Sequence, residues 1–325
     1  MISSLELAAL CGVSQGTIDR ALHNRPGISA ATRARILAMA EQHGYVPNPV
    51  ARELMGLAAS TVVGAIVSAA ALRAPFFMAL FEVLARRLHV DGLQLSFWVA
   101  PDDADGMRKT FIESAARRQR ALILVMPPID LELPAVTVAR QPVLSLILPC
   151  SCPGVVSLLP DERAAGRVAT EHLLALGHER ILHLTGRTPV HGDHLIRHQR
   201  RDGYVAAMHS AGLPPLVWDE GVEAPDLLER LRAADITAVF CHNDPDALPL
   251  IRRLRAAGLA VPADISVIGV DRSPILVDID PSLTSVTYPY AGLAEQVAST
   301  LSGRPLPPLP APQVALGAST GNPAR

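Results

Sequence analysis

From about residue 60 onward, short apolar runs alternate with longer amphipathic segments. They read "TVVGAIV", "FFMALFEVLARRL", "LQLSFWV", "ADGMRKTFIESAARRQ", "ALILVM" and "PVLSLI", then "RAAGRVATEHLLALG", "RILHLTG", "QRRDGYVAAMHSAG", "TAVFCH", "DALPLIRRLRAAG" and "DISVIGV". A strand that returns through a helix runs parallel to the strand before it, so this order builds parallel sheets with helices on both faces. The run is long enough for two doubly wound sheets. The Pro-rich tail, "SGRPLPPLPAPQVALGASTGNPAR", reads as a surface strand with a frayed end.

Residues before 60 have a different texture. Ser3-Ser4-Leu5-Glu6 is a capping box, and the helix it starts carries Leu7, Ala8 and Leu10 and stops at Gly12. Ser14 can cap a second helix, Gln15 to about Leu22, burying Ile18 and Leu22 at i, i+4; "HNRPG" ends it. Ser29 caps a third, 30–42, with Ile36, Leu37 and Ala40 on one face and His43-Gly44 at its end. "YVPNPVARELMG" follows as an extended connector, and Pro49 can open a short helix over 50–55. The first two helices fit a helix-turn-helix. Small Ala8 lets them approach, Gly12 makes the turn, and Leu7, Val13 and Ile18 supply the buried face.

Composition sets the outer bounds. The chain has 325 residues, 49% hydrophobic and 18% charged, which suits two or three globular domains and excludes a disordered chain. Its longest near-apolar stretch, 58–72, falls short of the ~20 residues a membrane helix needs and is interrupted by Ser60, Thr61 and Ser68. No signal peptide is visible, and four cysteines (Cys11, Cys150, Cys152, Cys241) give no evident disulfide framework, so a cytoplasmic, nucleoid-associated protein of bacterial type is expected. Cys150 and Cys152 are too few for a structural zinc site. His191, Asp193, His194 and His198 could hold a transition metal; the preferred reading is a polar loop at the mouth of a cleft. His178 reads as a capping or packing histidine. No nucleophile–base pair or phosphate-cradling glycine loop points to catalysis, so no enzyme, cofactor or metal is expected.

"GVSQGTIDRALHNRPGISAATRARILAMAEQHGYVPNPVAREL" resembles the DNA-binding head and hinge of the lactose-repressor (LacI/GalR) family. "EHLLALGHERILHLTG", "HNDPDAL", "DISVIGVDRSP" and "DPSLTSVTYP" follow in that family's order and spacing, so the resemblance covers essentially the whole chain. It implies an all-α helix-turn-helix head joined to a two-lobed α/β sensor, like a type I periplasmic binding protein, with doubly wound parallel sheets. The domains are then 1–46 (head), 47–59 (hinge) and 60–320 (effector binding and dimerisation). Within the last, lobe 1 takes 60–159 and 289–320, and lobe 2 takes 160–288.

The resemblance also implies a homodimer that sets two recognition helices in successive major grooves of double-stranded operator DNA. By position, Gln15, Gly16 and Arg20 lie on the base-reading face, where Gln15 can pair with adenine and Arg20 with guanine. Gly16 replaces a side chain that often reads a base in the family. Ser14 and Thr17 fall at phosphate-contacting positions, and Asn24 and Arg25 stand where they can reach the backbone. Leu54 matches the residue that wedges into the minor groove, with Ala51 and Arg52 on the same helix. Asp19 could accept from a cytosine amine or orient a basic neighbour. Residues 1–56 hold five arginines against four acids, net about +1, which argues against a binder driven only by phosphate charge.

In the sensor, Phe76, Phe77, Arg200, Asn243 and Asp271 match effector positions at the carboxyl ends of strands. An aromatic face, an arginine, an amide and a carboxylate suit a polyol. The competing reading makes Phe76 and Phe77 core and Arg200–Asp271 a structural ion pair. Sugar-binding members often carry Asp-Arg after the strand matching "PVLSLI"; here Ile147-Leu148 stands there, which allows a less polar effector. The expected function is therefore an effector-controlled regulator, most simply a repressor answering to a sugar or polyol. The alternative is a non-sugar metabolite, such as a nucleobase, acting as co-repressor. A transport binding protein or an enzyme on this scaffold are the readings from other classes. No C-terminal heptad helix is seen, so a dimer is expected rather than a tetramer.

Overall fold

A computed structural model describes residues 2–22, 24–45, 60–72, 74–117, 119–186, 193–280 and 282–324. The chain divides into two compact units, Met1–Ser60 and Thr61–Arg325.

The first unit packs three helices: α1 (Ser4–Cys11), α2 (Gln15–Leu22) and α3 (Ala30–Gln42). The capping box forms as read, with Ser3 N–H donating to Glu6 Oε2 at 2.6 Å and Glu6 N–H to Ser3 Oγ at 3.2 Å. Gly12 sits at φ 62°, the left-handed conformation that ends α1 and turns the chain into α2. The core is Leu7, Ala8, Cys11, Ile18, Ala21, Ile36 and Ala40. Helical phase accounts for the expected apolar residues that fall outside it. Leu7 and Cys11 share a stripe at i, i+4, and so do Ile36 and Ala40; Leu10 and Leu37 lie off those stripes, 50% and 45% exposed. Leu22 and Val13 are only partly buried, and Ala21 takes the buried place beside Ile18.

The second unit opens with β1 (Val62–Ser68), α4 (Ala69–Leu72), α5 (Phe76–Val90), β2 (Gln94–Ala100) and α6 (Ala104–Ala115). It continues through β3 (Ala121–Val125), α7 (Ala135–Val138), β4 (Val143–Leu146) and β5 (Val155–Leu158). These strands form an all-parallel sheet in the order β2-β1-β3-β4-β5. Along β1 the side chains alternate between two buried layers: Val63, Ala65 and Val67 enter one and Ile66 the other.

The chain then builds α8 (Glu162–Ala175), β6 (Ile181–Leu184), α9 (Asp193–Ser210), β7 (Leu216–Trp218), α10 (Leu227–Ala233), β8 (Ala238–Cys241), α11 (Asp244–Ala256), β9 (Ser266–Val270), α12 (Pro274–Ile279) and β10 (Thr284–Thr287). It ends with α13 (Tyr290–Leu301) and β11 (Gln313–Ala315). The second sheet runs β11-β10-β9-β8-β6-β7, parallel except for β11. Among the described residues, no helix is long and apolar enough to cross a membrane.

The return to the first lobe is shorter than expected. It takes α13, where Glu295 binds Arg87 of α5, and the segment just after it, where Leu309 packs on the core of the first lobe. β11 pairs antiparallel with β10, so residues 313–320 belong with the second lobe and not with the first. Nor is the tail frayed. Ser319 Oγ donates to the Val267 carbonyl at 2.6 Å, Thr284 N–H donates to Ser319 Oγ at 2.8 Å, and His178 meets Gly321 O at 2.8 Å. These bonds satisfy backbone groups at the starts of β9 and β10 that a loose tail would leave unpaired.

Candidate nucleic-acid interface and effector site

The exposed face of α2 carries the residues expected to meet DNA. Ser14 caps the helix: Thr17 N–H donates to Ser14 Oγ at 3.2 Å, and the two hydroxyls meet at 3.0 Å. Ser14, Gln15, Gly16, Arg20, Asn24 and Arg25 are exposed, and Thr17 and Asp19 half-buried. Gln15 Nε2 donates to Ser4 Oγ at 3.1 Å, which ties the start of α2 to α1. A Cβ added to Gly16 would meet only Ser14 Oγ, at 3.8 Å, so packing does not require the glycine.

Two arginines of α3 fasten the helices. Arg33 donates to the carbonyls of Arg20 (3.2 Å), Ala21 (3.3 Å) and Arg25 (2.7 Å), bracing the last turn of α2 and the turn that follows it. Arg35 donates to Cys11 O at 3.1 Å. Asp19 accepts from Arg25 Nη1 at 3.0 Å. Of the two roles read for Asp19, the structure therefore displays the orientation of a basic neighbour. The hinge residues Ala51, Arg52 and Leu54 lie outside the described residues, as does His191.

In the sensor, the expected effector residues divide. Phe77 is fully buried, its ring between Phe76 at 5.0 Å and Phe81 at 5.3 Å, inside the core of the first lobe. It is a core residue and not an effector contact, because the first turn of α5 points it at the sheet. Phe76 is half-buried against the same core.

Arg200 is buried, and its donors are already engaged. Nε donates to Glu162 Oε2 at 2.7 Å and Nη1 to the His242 carbonyl at 2.6 Å. Nη2 reaches Tyr288 Oη at 3.1 Å and Asp271 Oδ1 at 3.4 Å, and Tyr288 Oη in turn donates to Glu162. The fork expected to face the ligand faces the protein instead, in an ion pair with Asp271 and Glu162. Burial disfavours the charge on Arg200, but the neighbouring Glu162 and Asp271 outweigh it and raise its pKa well above the usual value. Burial likewise raises the Tyr288 and Tyr290 phenols. Asp271 sits at φ 106°, a conformation L-residues avoid, at the end of β9.

The helix crossing explains the meeting of Glu162 and Arg200. A Cβ on Gly166 of α8 would lie 2.0 Å from Arg200 O, and one on Gly203 of α9 2.0 Å from Arg163 O. The two backbones touch at these glycines, which sets the first turn of α8 against the middle of α9.

Asn243 is half-buried and caps α11, its Oδ1 accepting from Asp246 N–H at 3.0 Å. Beside it Asp244, which the sequence reading missed, accepts from Ser285 Oγ at 2.7 Å; burial pushes its carboxyl up to about 7, although the Ser285 bond opposes this. Glu162, Tyr288 and Tyr290 were missed as well. Paired tyrosines at a strand end in "TYPY" were a usable signal; nothing local marked Glu162, whose partner is far along the chain. His178 is buried, bonded to Thr237 at 2.9 Å and Ser266 at 3.1 Å, with its pKa lowered by burial.

From residue 193 the histidine-rich stretch is part of α9 and not a loop, with His198 on its exposed side. No group of residues able to hold a metal is present among the described residues. The wall beyond β4 is apolar: Ile147, Leu148 and Met126 share one cluster with Leu195 and Ile196 of α9 and with Tyr290.

Comparison with known proteins places this geometry. The model for bacterial regulatory proteins of the lacI family matches residues 5–48, and the periplasmic binding protein-like domain matches 170–319. The regulator MalR of Streptomyces coelicolor is 30% identical over 325 residues, covering 93% of this chain and 91% of its own. CelR of Thermobifida fusca is 29% identical, covering 92% and 90%. Among solved structures, the lac repressor dimer bound to operator and the anti-inducer ONPF aligns with a TM-score of 0.82 at 23% identity, covering 98% of this chain and 99% of that one. A CelR–cellobiose complex aligns at 0.64 and 24%, covering 98% and 100%. With a helix-turn-helix head, two parallel-sheet lobes and this similarity along nearly its whole length, the chain belongs to the lacI family of bacterial transcription regulators.

Proposed function

We propose that the protein is a dimeric repressor whose affinity for a near-palindromic operator is set by a small molecule bound between the two lobes of the sensor. The observation that carries the DNA half is the polar, exposed face of α2, held rigid by the core beneath it and by Arg33 across its end. Arg20 and Gln15 are the base readers on that face, Ser14, Thr17, Asn24 and Arg25 the backbone contacts, and Leu54, with Ala51 and Arg52, the hinge contacts. Selection from a random duplex pool tests this: the full chain enriches a two-fold symmetric sequence, and Arg20→Ala relaxes one base pair in each half-site.

The sensor half rests on polar groups gathered at the strand ends of the second sheet: Asn243, Asp271, Tyr288 and Tyr290. The cellobiose-bound relative supports a sugar or polyol. A second reading, a less polar metabolite acting as co-repressor, is favoured by the apolar wall of Ile147 and Leu148 and by the engagement of Arg200 inside the protein. A thermal-shift screen across sugars, polyols and nucleobases separates the two, since a ligand that binds only the folded protein raises its melting temperature.

A further inference from the structure

Asp19 and Arg25 are built as a unit. Arg25 is fixed at its backbone: its N–H donates to Arg20 O at 2.9 Å and its carbonyl accepts from Arg33 Nη2 at 2.7 Å. Asn24 makes the turn into this clamp at φ 52°. The side chain is fixed by Asp19 at 3.0 Å through Nη1, with no partner for Nε or Nη2 among the described residues. The pair stays wet, Arg25 45% and Asp19 31% exposed, so it lies on the surface offered to a partner.

The charge balance of the head gives this pair weight. Asp19 is one of the four acids that hold residues 1–56 to a net charge of about +1; without it the net would be about +2, so it removes much of what attracts a phosphate backbone. A base-reading carboxylate needs no clamped arginine beside it. A carboxylate that tempers an arginine does.

We propose that Asp19 is a positioning and charge-cancelling partner of Arg25, and not a base reader. It holds the guanidinium for one phosphate of the operator and suppresses its attraction to any other DNA, so that Asp19 sets the ratio of specific to non-specific binding. This rests on the reading that α2 enters DNA.

The test is a double-mutant cycle in the full-length protein, read as binding to the selected operator duplex and to poly(dI-dC) across a salt series. Asp19→Asn raises affinity for poly(dI-dC) by roughly three- to tenfold at low salt and steepens the salt dependence by about one charge per head. The operator-to-non-specific ratio falls, and the base preferences stay the same. Arg25→Ala costs little on poly(dI-dC) in the wild type, where its charge is cancelled, but roughly three- to tenfold in the Asp19→Asn background. Equal costs in both backgrounds overturn the proposal, and so does a shifted base preference in Asp19→Asn. A wild-type chain that enriches no sequence overturns the DNA reading along with it; one that enriches an operator while the cycle is additive overturns only the role of Asp19. Melting curves of both variants match the wild type, so the changes in affinity come from the DNA-facing surface and not from a loosened head.

Discussion

The head and the sensor each pair an arginine with an acid, one pair exposed to water and the other buried. In the head, Arg25 meets Asp19 in water and keeps donors in reserve. In the sensor, Arg200 is buried and spends its donors on Glu162, His242, Asp271 and Tyr288. A wet pair contributes little to folding and can exchange its partners for phosphate. A buried network is costly to break, and it fixes the floor on which the strand-end groups stand.

Breaking the buried member gives the largest effect. Arg200→Ala leaves Glu162 and Asp271 buried without their counter-charge and destabilises the sensor by about 3–5 kcal/mol, read as the urea midpoint of the full chain. Glu162→Ala falls in the same range. Gly203→Ala, which forces α9 off the Arg163 carbonyl, costs about 3 kcal/mol and acts on the same network without touching its charges.

Next comes Asp244. Burial raises its folded pKa from 3.8 to about 7. Its contribution to stability is therefore present below the lower value and lost as pH rises through the upper one, because the unfolded chain releases the proton first. Asp244→Asn flattens the stability of the sensor across that window, measured by urea unfolding at about pH 5 and about pH 8. His183 has the opposite sign. Burial lowers it from 6.5 to about 3, so its contribution is lost as pH falls through that window.

In the head the effects are on DNA and not on folding. Arg20→Ala costs about 1–3 kcal/mol of discrimination at one base pair per half-site. Asp19→Asn changes folding stability by less than about 1 kcal/mol, the smallest effect expected.

The same contrast separates what was legible in the sequence from what was not. The head was readable because its signals are local: Ser3 and Glu6 lie three residues apart, Gly12 marks the turn, and the helices follow their caps. Its misread residues, Leu10 and Leu37, are apolar side chains just off the buried stripe. The alternation of strands and helices was equally local, but β5 and β7 are three or four residues long and too short to show a period. The tail was misplaced because Ser319 and Gly321 are held by residues far away in sequence. Arg200 was found and its role was not. Whether a fork faces a ligand or a carboxylate depends on the crossing of α8 and α9, which two glycines set and no local pattern announces.

In the proposed function, one small molecule couples the wet face of α2 to the buried floor of the sensor. Linkage makes that claim measurable, since an effector that changes operator affinity by some factor must have its own affinity changed by the operator by the same factor. The decisive measurement is a calorimetric titration of the effector, identified by thermal shift, into the full-length protein with and without saturating operator. The expected change in effector dissociation constant is about 5–150-fold, equal to the change the effector produces in operator binding. Identical effector affinities in the two titrations would contradict it.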